Sequence, residues 1–363
     1  MKMPGAKSLF VVSSIFNRAN SPYLLAVLVL FLVSSCAETD DPLTTTAPEV
    51  QVEFYVPDGF PAPVYNFQNN PITQDGFKLG RRLFYDPLLS RDSTISCGSC
   101  HQQFVAFAHA DHRFSHGIDN LLGSRNSPGL YNLAWFPNFM WDGGVNHIEV
   151  QPIAPIDNPV EMDETLANVI VKLQRSSYYP QMFQKAFGSD SITAQHMLRA
   201  MAQFMGAMIS ASSKYDDYRA GKVSFTTSEM NGLNVFRAKC ASCHTEPLLT
   251  DMQFRNNGLD SVFYTDAGRG HITQLPQDSG LFRVPSLRNV ALTYPYMHDG
   301  RFGSLTQVLD HYSSGIVQSS TLDPLLNPGG MNLSAQERSD VISFLNTLTD
   351  FKYISDKRFS EVQ

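Results

Sequence analysis

Apolar residues return every three to four positions through two neighbouring stretches, Glu164–Phe187 ("ETLANVIVKLQRSSYYPQMFQKAF") and Ser191–Ser213 ("SITAQHMLRAMAQFMGAMISASS"). That spacing puts them on one helical face, so both stretches are predicted helical, the second turning its methionines into a core. Near the carboxyl end, "SAQERSDVISFLNTLTD" repeats the pattern behind Ser334 and Glu337, spaced as a capping box. Thr226 and Glu229 open another helix in the same way. Two helices share a signature, "GRRLF" (Gly80–Phe84) and "GLNVF" (Gly232–Phe236), which points to a duplicated module. Alternating runs are scarce, so the expected fold class is mainly α with long Gly/Pro-rich loops. The longest runs from Asn120 to Pro159, and ordered loops of that length usually carry function.

The pattern changes at the amino terminus. Lys2, Lys7 and Arg18 precede an apolar run, Tyr23–Val33, that ends in "SSC" at Cys36. The run is too short for a comfortable membrane span, and a small-small-Cys ending reads as a bacterial lipoprotein signal over residues 1–35 with Cys36 as the lipid attachment point. An uncleaved anchor helix is the alternative. Residues 36–50 are polar and Thr/Pro-rich, a flexible tether. Either reading places the folded part in the periplasm or at the cell exterior, held to a bacterial membrane, with the outer membrane preferred.

With 363 residues and 43% hydrophobic composition, the chain supports about two domains, expected at 51–220 and 221–363. The net charge is −7, and the signal removes only basic residues, which argues against nucleic acid as a partner. Charge also changes the picture little beside the cysteines. Apart from Cys36, all of them fall in two copies of C-x-x-C-H, Cys97/Cys100/His101 and Cys240/Cys243/His244, and none is left for a structural disulfide. Two thiols at this spacing form thioethers to the vinyl groups of one haem while the adjacent imidazole reaches the iron. A redox dithiol pair or a four-thiolate zinc site are rival readings, but neither accounts for a histidine after each pair.

Further motifs follow in order: "RNSPGLYN" (Arg125–Asn132), "WDGG" (Trp141–Gly144), Gln151, "NPVEM" (Asn158–Met162) and "VPSLRNVALTYPYMHDGRFGSL" (Val284–Leu305). With the two haem motifs they resemble the bacterial diheme cytochrome c peroxidase family, including its relatives that mature a tryptophan-derived quinone cofactor, from about Thr73 to Asp350. The resemblance implies two cytochrome c-like domains, each with one covalently attached c-type haem, the first peroxidatic and the second for electron transfer. It implies Glu161 as distal acid/base over the first haem, Gln151 in the same pocket, and Trp141 as a relay between the haems. It implies a calcium ion held by Asn126, Thr293 and Pro295. Tyr312, fourteen residues after His298, falls where the peroxidases place a methionine ligand to the second haem and the cofactor-maturing relatives a tyrosine. Met297 is the alternative ligand. Ile118 takes the place of a histidine that closes the first haem in some members; His116 stands two positions away, and His109 and His112 read as surface residues. On the residues alone, Glu161 also reads as a helix N-terminal charge, and Trp141 and Tyr312 as core residues.

The activity implied is reduction of hydrogen peroxide to water with electrons from a small redox protein, a c-type cytochrome or a cupredoxin. The rivals are a diheme oxidase that modifies a protein side chain through high-valent haem, and a non-enzymatic electron carrier. A homodimer is compatible with each.

Overall fold

The computed structural model describes residues 51–361. The expected signal, Cys36 and the tether lie outside the described residues. Four longer helices build the first half: α1 (Gln74–Tyr85), α2 (Leu166–Arg175), α3 (Tyr179–Phe187) and α4 (Ala194–Gly206). Thr73 starts α1 by accepting the Gly76 N–H at 3.0 Å, an N-cap that satisfies one orphan donor. The apolar face of α1 buries Phe77, Leu79, Leu83 and Phe84, each worth about 1.5–3 kcal/mol once removed from water. It lies across α4, whose Met197, Met201 and Met205 are buried as predicted. Gly80 sits at the crossing, where a Cβ would fall 2.0 Å from Ala200 O, and one turn on the Phe84 and Phe204 rings meet at 5.2 Å.

The second half repeats this geometry. Helix α5 (Thr227–Lys239) crosses α6 (Ala335–Asn346), each opened by its expected capping box. At this crossing a Cβ on Gly232 would fall 1.9 Å from Asp340 O, and the Phe236 and Phe344 rings stand 5.0 Å apart. The likeness between "GRRLF" and "GLNVF" is therefore a likeness of helix crossings: a glycine admits the partner backbone and a phenylalanine four residues later fills the next turn. Among the described residues the only sheet is a two-stranded one, β1 (Phe254–Arg255) against β2 (Phe282–Arg283), with Phe254 opposite Arg283. The fold is mainly helical, as expected.

Two expectations are corrected. The stretch Glu164–Phe187 is not one helix. The chain leaves α2 at Ser176 and restarts as α3, with Pro180 in the first turn, where proline's missing N–H breaks no internal bond. The loop Asn120–Pro159 is interrupted by single turns at Leu133–Trp135 and Ile153–Asp157; Trp135 is buried and donates its Nε1–H to Pro61 O at 2.8 Å.

Packing crosses the division expected at residue 220. Tyr353 and Phe359, at the end of the chain, belong to the core around α1 and α4, and Tyr215 to the core around α5 and α6. Tyr85 donates its hydroxyl to Phe359 O at 2.7 Å, and the Tyr353 hydroxyl reaches Leu130 O. Asp350 accepts from Ser210 Oγ at 3.1 Å and Ser212 N at 2.9 Å, while the fully buried Arg288 forks onto Asp216 at 2.9 Å to both oxygens. These bonds tie the halves together with satisfied polar groups, as burial requires.

Candidate functional site

Each C-x-x-C-H motif is set by its helix. Cys97–Cys100 forms a single turn in which Ser96 and Ser99 cap each other. His101 then donates Nδ1–H to Phe107 O at 2.7 Å, and the Pro128 carbonyl also bonds the ring. In the second motif Cys240 closes α5, and His244 donates Nδ1–H to Leu249 O at 3.2 Å, with the Pro285 carbonyl as its second support. This pairing selects the tautomer whose Nε2 keeps its lone pair for a metal. Burial lowers the pKa of both imidazoles, which holds them in the neutral, ligating form. All four cysteines are free thiols, and burial pushes Cys97 and Cys240 up to about 12.

Among the described residues, no three of His, Cys, Asp and Glu stand close enough to share a metal ion. The zinc reading needs all four thiolates gathered, and they are not. Cys240, Cys243 and His244 instead line one cavity with Met297, Tyr312 and Trp141. Two free thiols, an imidazole oriented through Nδ1 and a largely apolar wall fit a covalently attached haem. Cys97, Cys100 and His101 offer the same donor set in the first half.

Glu161 stands near the first motif, where its charge adds to the rise that burial gives the Cys97 and Cys100 thiols. Asn158 Nδ2–H donates to Glu161 Oε1 at 2.7 Å. Burial raises the carboxyl pKa above its ordinary value, and the Asn158 bond opposes that rise. Its backbone is held by the preceding loop: Ile118 N–H donates to Glu161 O at 2.8 Å, and Gly117 leaves no room for a Cβ, which would lie 2.5 Å from Glu161 Cα. Ile118 is fully buried, whereas His116 pairs through Nδ1 with Asn120 Oδ1 at 2.7 Å. His109 is not the surface residue expected. It is buried, bonded through Nδ1 to Ser115 Oγ at 2.8 Å, and stacked on His112 at 4.4 Å. Gln151 reaches Met140 Sδ at 3.9 Å and makes no hydrogen bond to Glu161.

Trp141 lines the second cavity and donates Nε1–H to Asn126 O at 2.7 Å. Asn126, Thr293 and Pro295 line the same cavity, and Asn126 N–H donates to His298 O at 2.8 Å. Beside them Arg125, without an assigned role in the sequence, forks onto Asp266 at 2.8 and 2.7 Å and bonds Asp142 at 2.5 Å.

Tyr312 lies on a π-helical turn, His311–Gly315, a distortion frequent at functional sites. Burial raises its phenol to about 12, with the Cys240 and Cys243 charges adding to the rise, so the hydroxyl stands near the second motif. Met297 has a left-handed backbone, φ +74°, and accepts from Asn257 Nδ2 at 3.5 Å. The Asn257 side chain also bonds Tyr312, and so serves both candidate ligands. No motif marks Asn257; its only sequence signal is a place in "RNNG", a turn-like string.

Comparison with known proteins matches both halves of the chain to cytochrome families. Residues 74–224 match the di-haem cytochrome c peroxidase family and 230–349 the cytochrome c family. The methylamine utilization protein MauG of Methylophilus methylotrophus is 34% identical over 82% of this chain and 88% of its own. The cytochrome c551 peroxidase of Nitrosomonas europaea is 32% identical over 78% and 83%. A crystallised MauG-like protein associated with microbial copper homeostasis superposes with a TM-score of 0.79 at 32% identity, covering 85% of this chain and 99% of that one.

Proposed function

The chain belongs to the di-haem cytochrome c peroxidase family, which includes MauG-type proteins, and from that premise we propose that it reduces hydrogen peroxide to water with electrons from a small redox protein. It is an oxidoreductase of the diheme peroxidase type, with two c-type haems implied by its two cytochrome c domains. The haems supply the iron redox chemistry; the residues of the chain supply binding, orientation and proton movement.

One observation carries the reading: a half-buried carboxyl, Glu161, stands near the first haem motif with its pKa raised and one oxygen anchored by Asn158. As carboxylate, Glu161 takes a proton from hydrogen peroxide and returns it to the departing oxygen, so that two further protons and two donor electrons complete two waters. His101 and His244 would hold the irons through Nε2, and Trp141, which lines the second cavity, would relay electrons. Tyr312 would ligate the second iron; a hard phenolate lowers that iron's potential relative to methionine. Asn126, Thr293 and Pro295 would hold calcium through oxygen atoms. A lipid at Cys36 would keep the enzyme on a membrane outside the cytoplasm.

Tyr312 and the MauG relatives favour a second reading, oxidation of a protein side chain. Steady-state turnover with hydrogen peroxide and a reduced c-type cytochrome or cupredoxin separates the two. Saturable donor oxidation at two electrons per peroxide is expected. Peroxide loss without donor oxidation would pass the function to the second reading.

A further inference from the structure

Arg283 on β2 is a half-buried cation that the proposed chemistry leaves unused. Its backbone N–H donates to Trp141 O at 2.8 Å, and its guanidinium lies over the Phe136 ring, 4.6 Å from the centroid. The residue keeps some exposure as a whole, yet Nε and Nη1 are buried and have no hydrogen-bond partner. Among the described residues no Asp or Glu forms an ion pair with it, whereas the nearby Arg288 is fully engaged by Asp216 and Pro247 O. Burial pulls the Arg283 guanidinium down to about 10, a fall that the Tyr131 phenol offsets only in part. An aromatic face compensates a desolvated guanidinium only partly.

Arg283 belongs to the lining of the cavity that holds Cys240, Cys243 and His244. Thioether attachment uses the vinyl groups of a haem and leaves its two propionates free. We propose that Arg283 binds a propionate carboxylate of the second haem and positions that haem beside the Trp141 backbone. A planar fork of N–H donors matches a carboxylate in shape and charge, and Nη2 paired with either Nε or Nη1 gives one of the two orphaned nitrogens a partner. The fixed positive charge also favours the reduced haem. The inference rests on the two-haem assignment and not on peroxide turnover, so activity is not its readout.

The test uses holoenzyme carrying Arg283→Gln or Arg283→Lys, with haem counted by pyridine haemochrome. In ferrous Arg283→Gln, the propionate bending band of the resonance Raman spectrum should move to the frequency of a carboxylate that has lost a hydrogen bond, and the second haem's midpoint should fall. Arg283→Lys keeps the charge and loses the fork, so it should restore the midpoint but not the band. A fully loaded Arg283→Gln with both quantities unmoved would overturn the assignment. If that variant does not load haem, an unmoved band in Arg283→Lys overturns it equally.

Discussion

Replacing Glu161 by Gln keeps the shape of the side chain and its acceptor for Asn158 but removes the group that titrates. A positioned acid/base is worth about 10²–10⁴-fold, or roughly 3–5 kcal/mol of barrier at 1.36 kcal/mol per decade. Peroxide-dependent kcat with a reduced cytochrome should fall by that factor, with haem content and reduction by the donor unchanged. The pH profile adds a second reading. Glu161 must be ionised to accept a proton, and its pKa lies above 4.5, so parent activity should decline as pH falls through that raised value; in Glu161→Gln this acid limb should vanish. Stability should move the other way. A carboxyl whose folded pKa exceeds its unfolded one binds protons preferentially in the native state, so the parent loses stability as pH rises from about 4.5 to the folded pKa. Glu161→Gln carries no charge to desolvate, and its unfolding midpoint at neutral pH should equal or exceed the parent's. Turnover within a factor of a few of the parent in fully loaded protein would refute the acid/base role and direct attention to His116.

Asn158→Leu removes the one bond that opposes the rise of Glu161's pKa, so the acid limb of the parent profile should move to higher pH while activity on the alkaline side changes less; an unmoved limb would detach the limb from Glu161. Tyr312→Phe should alter the low-spin spectrum of the second haem, and Met297→Leu should leave it nearly intact; the reverse result would transfer ligation to Met297. Gly232→Ala places a methyl 1.9 Å from Asp340 O and should cost about 1–3 kcal/mol or more as α5 and α6 separate, read as a drop in Tm. Gly80→Ala should behave alike at Ala200 O, and full parental Tm in both would dismiss the paired crossings.

Haem attachment was legible because covalent chemistry demands its residues in one contiguous string, and Cys97–His101 and Cys240–His244 each supply it. The duplicated crossing was legible in outline for a related reason: Gly80 with Phe84, and Gly232 with Phe236, answer one local packing problem twice. The π-turn at Tyr312 was not, since no residue type demands it. Asn257, Arg283 and Asp350 were silent because their partners lie far off in sequence. Asn257 stands forty residues from Met297, and Asp350 is 140 from Ser210. His109 was misread because three histidines in a polar loop look alike until the fold buries one of them.

The packing of Tyr353 and Phe359 against α1 carries a consequence for biogenesis. The first haem-binding string stands far ahead in sequence of Tyr353 and Phe359, two aromatic members of the hydrophobic nucleus around it. The core of the first half therefore closes only when residues beyond the second module join it. Until they do, Cys97 and Cys100 stay reachable for ligation to haem, and a polypeptide truncated before Tyr353 should stay soft around its first cofactor even where the second module is complete.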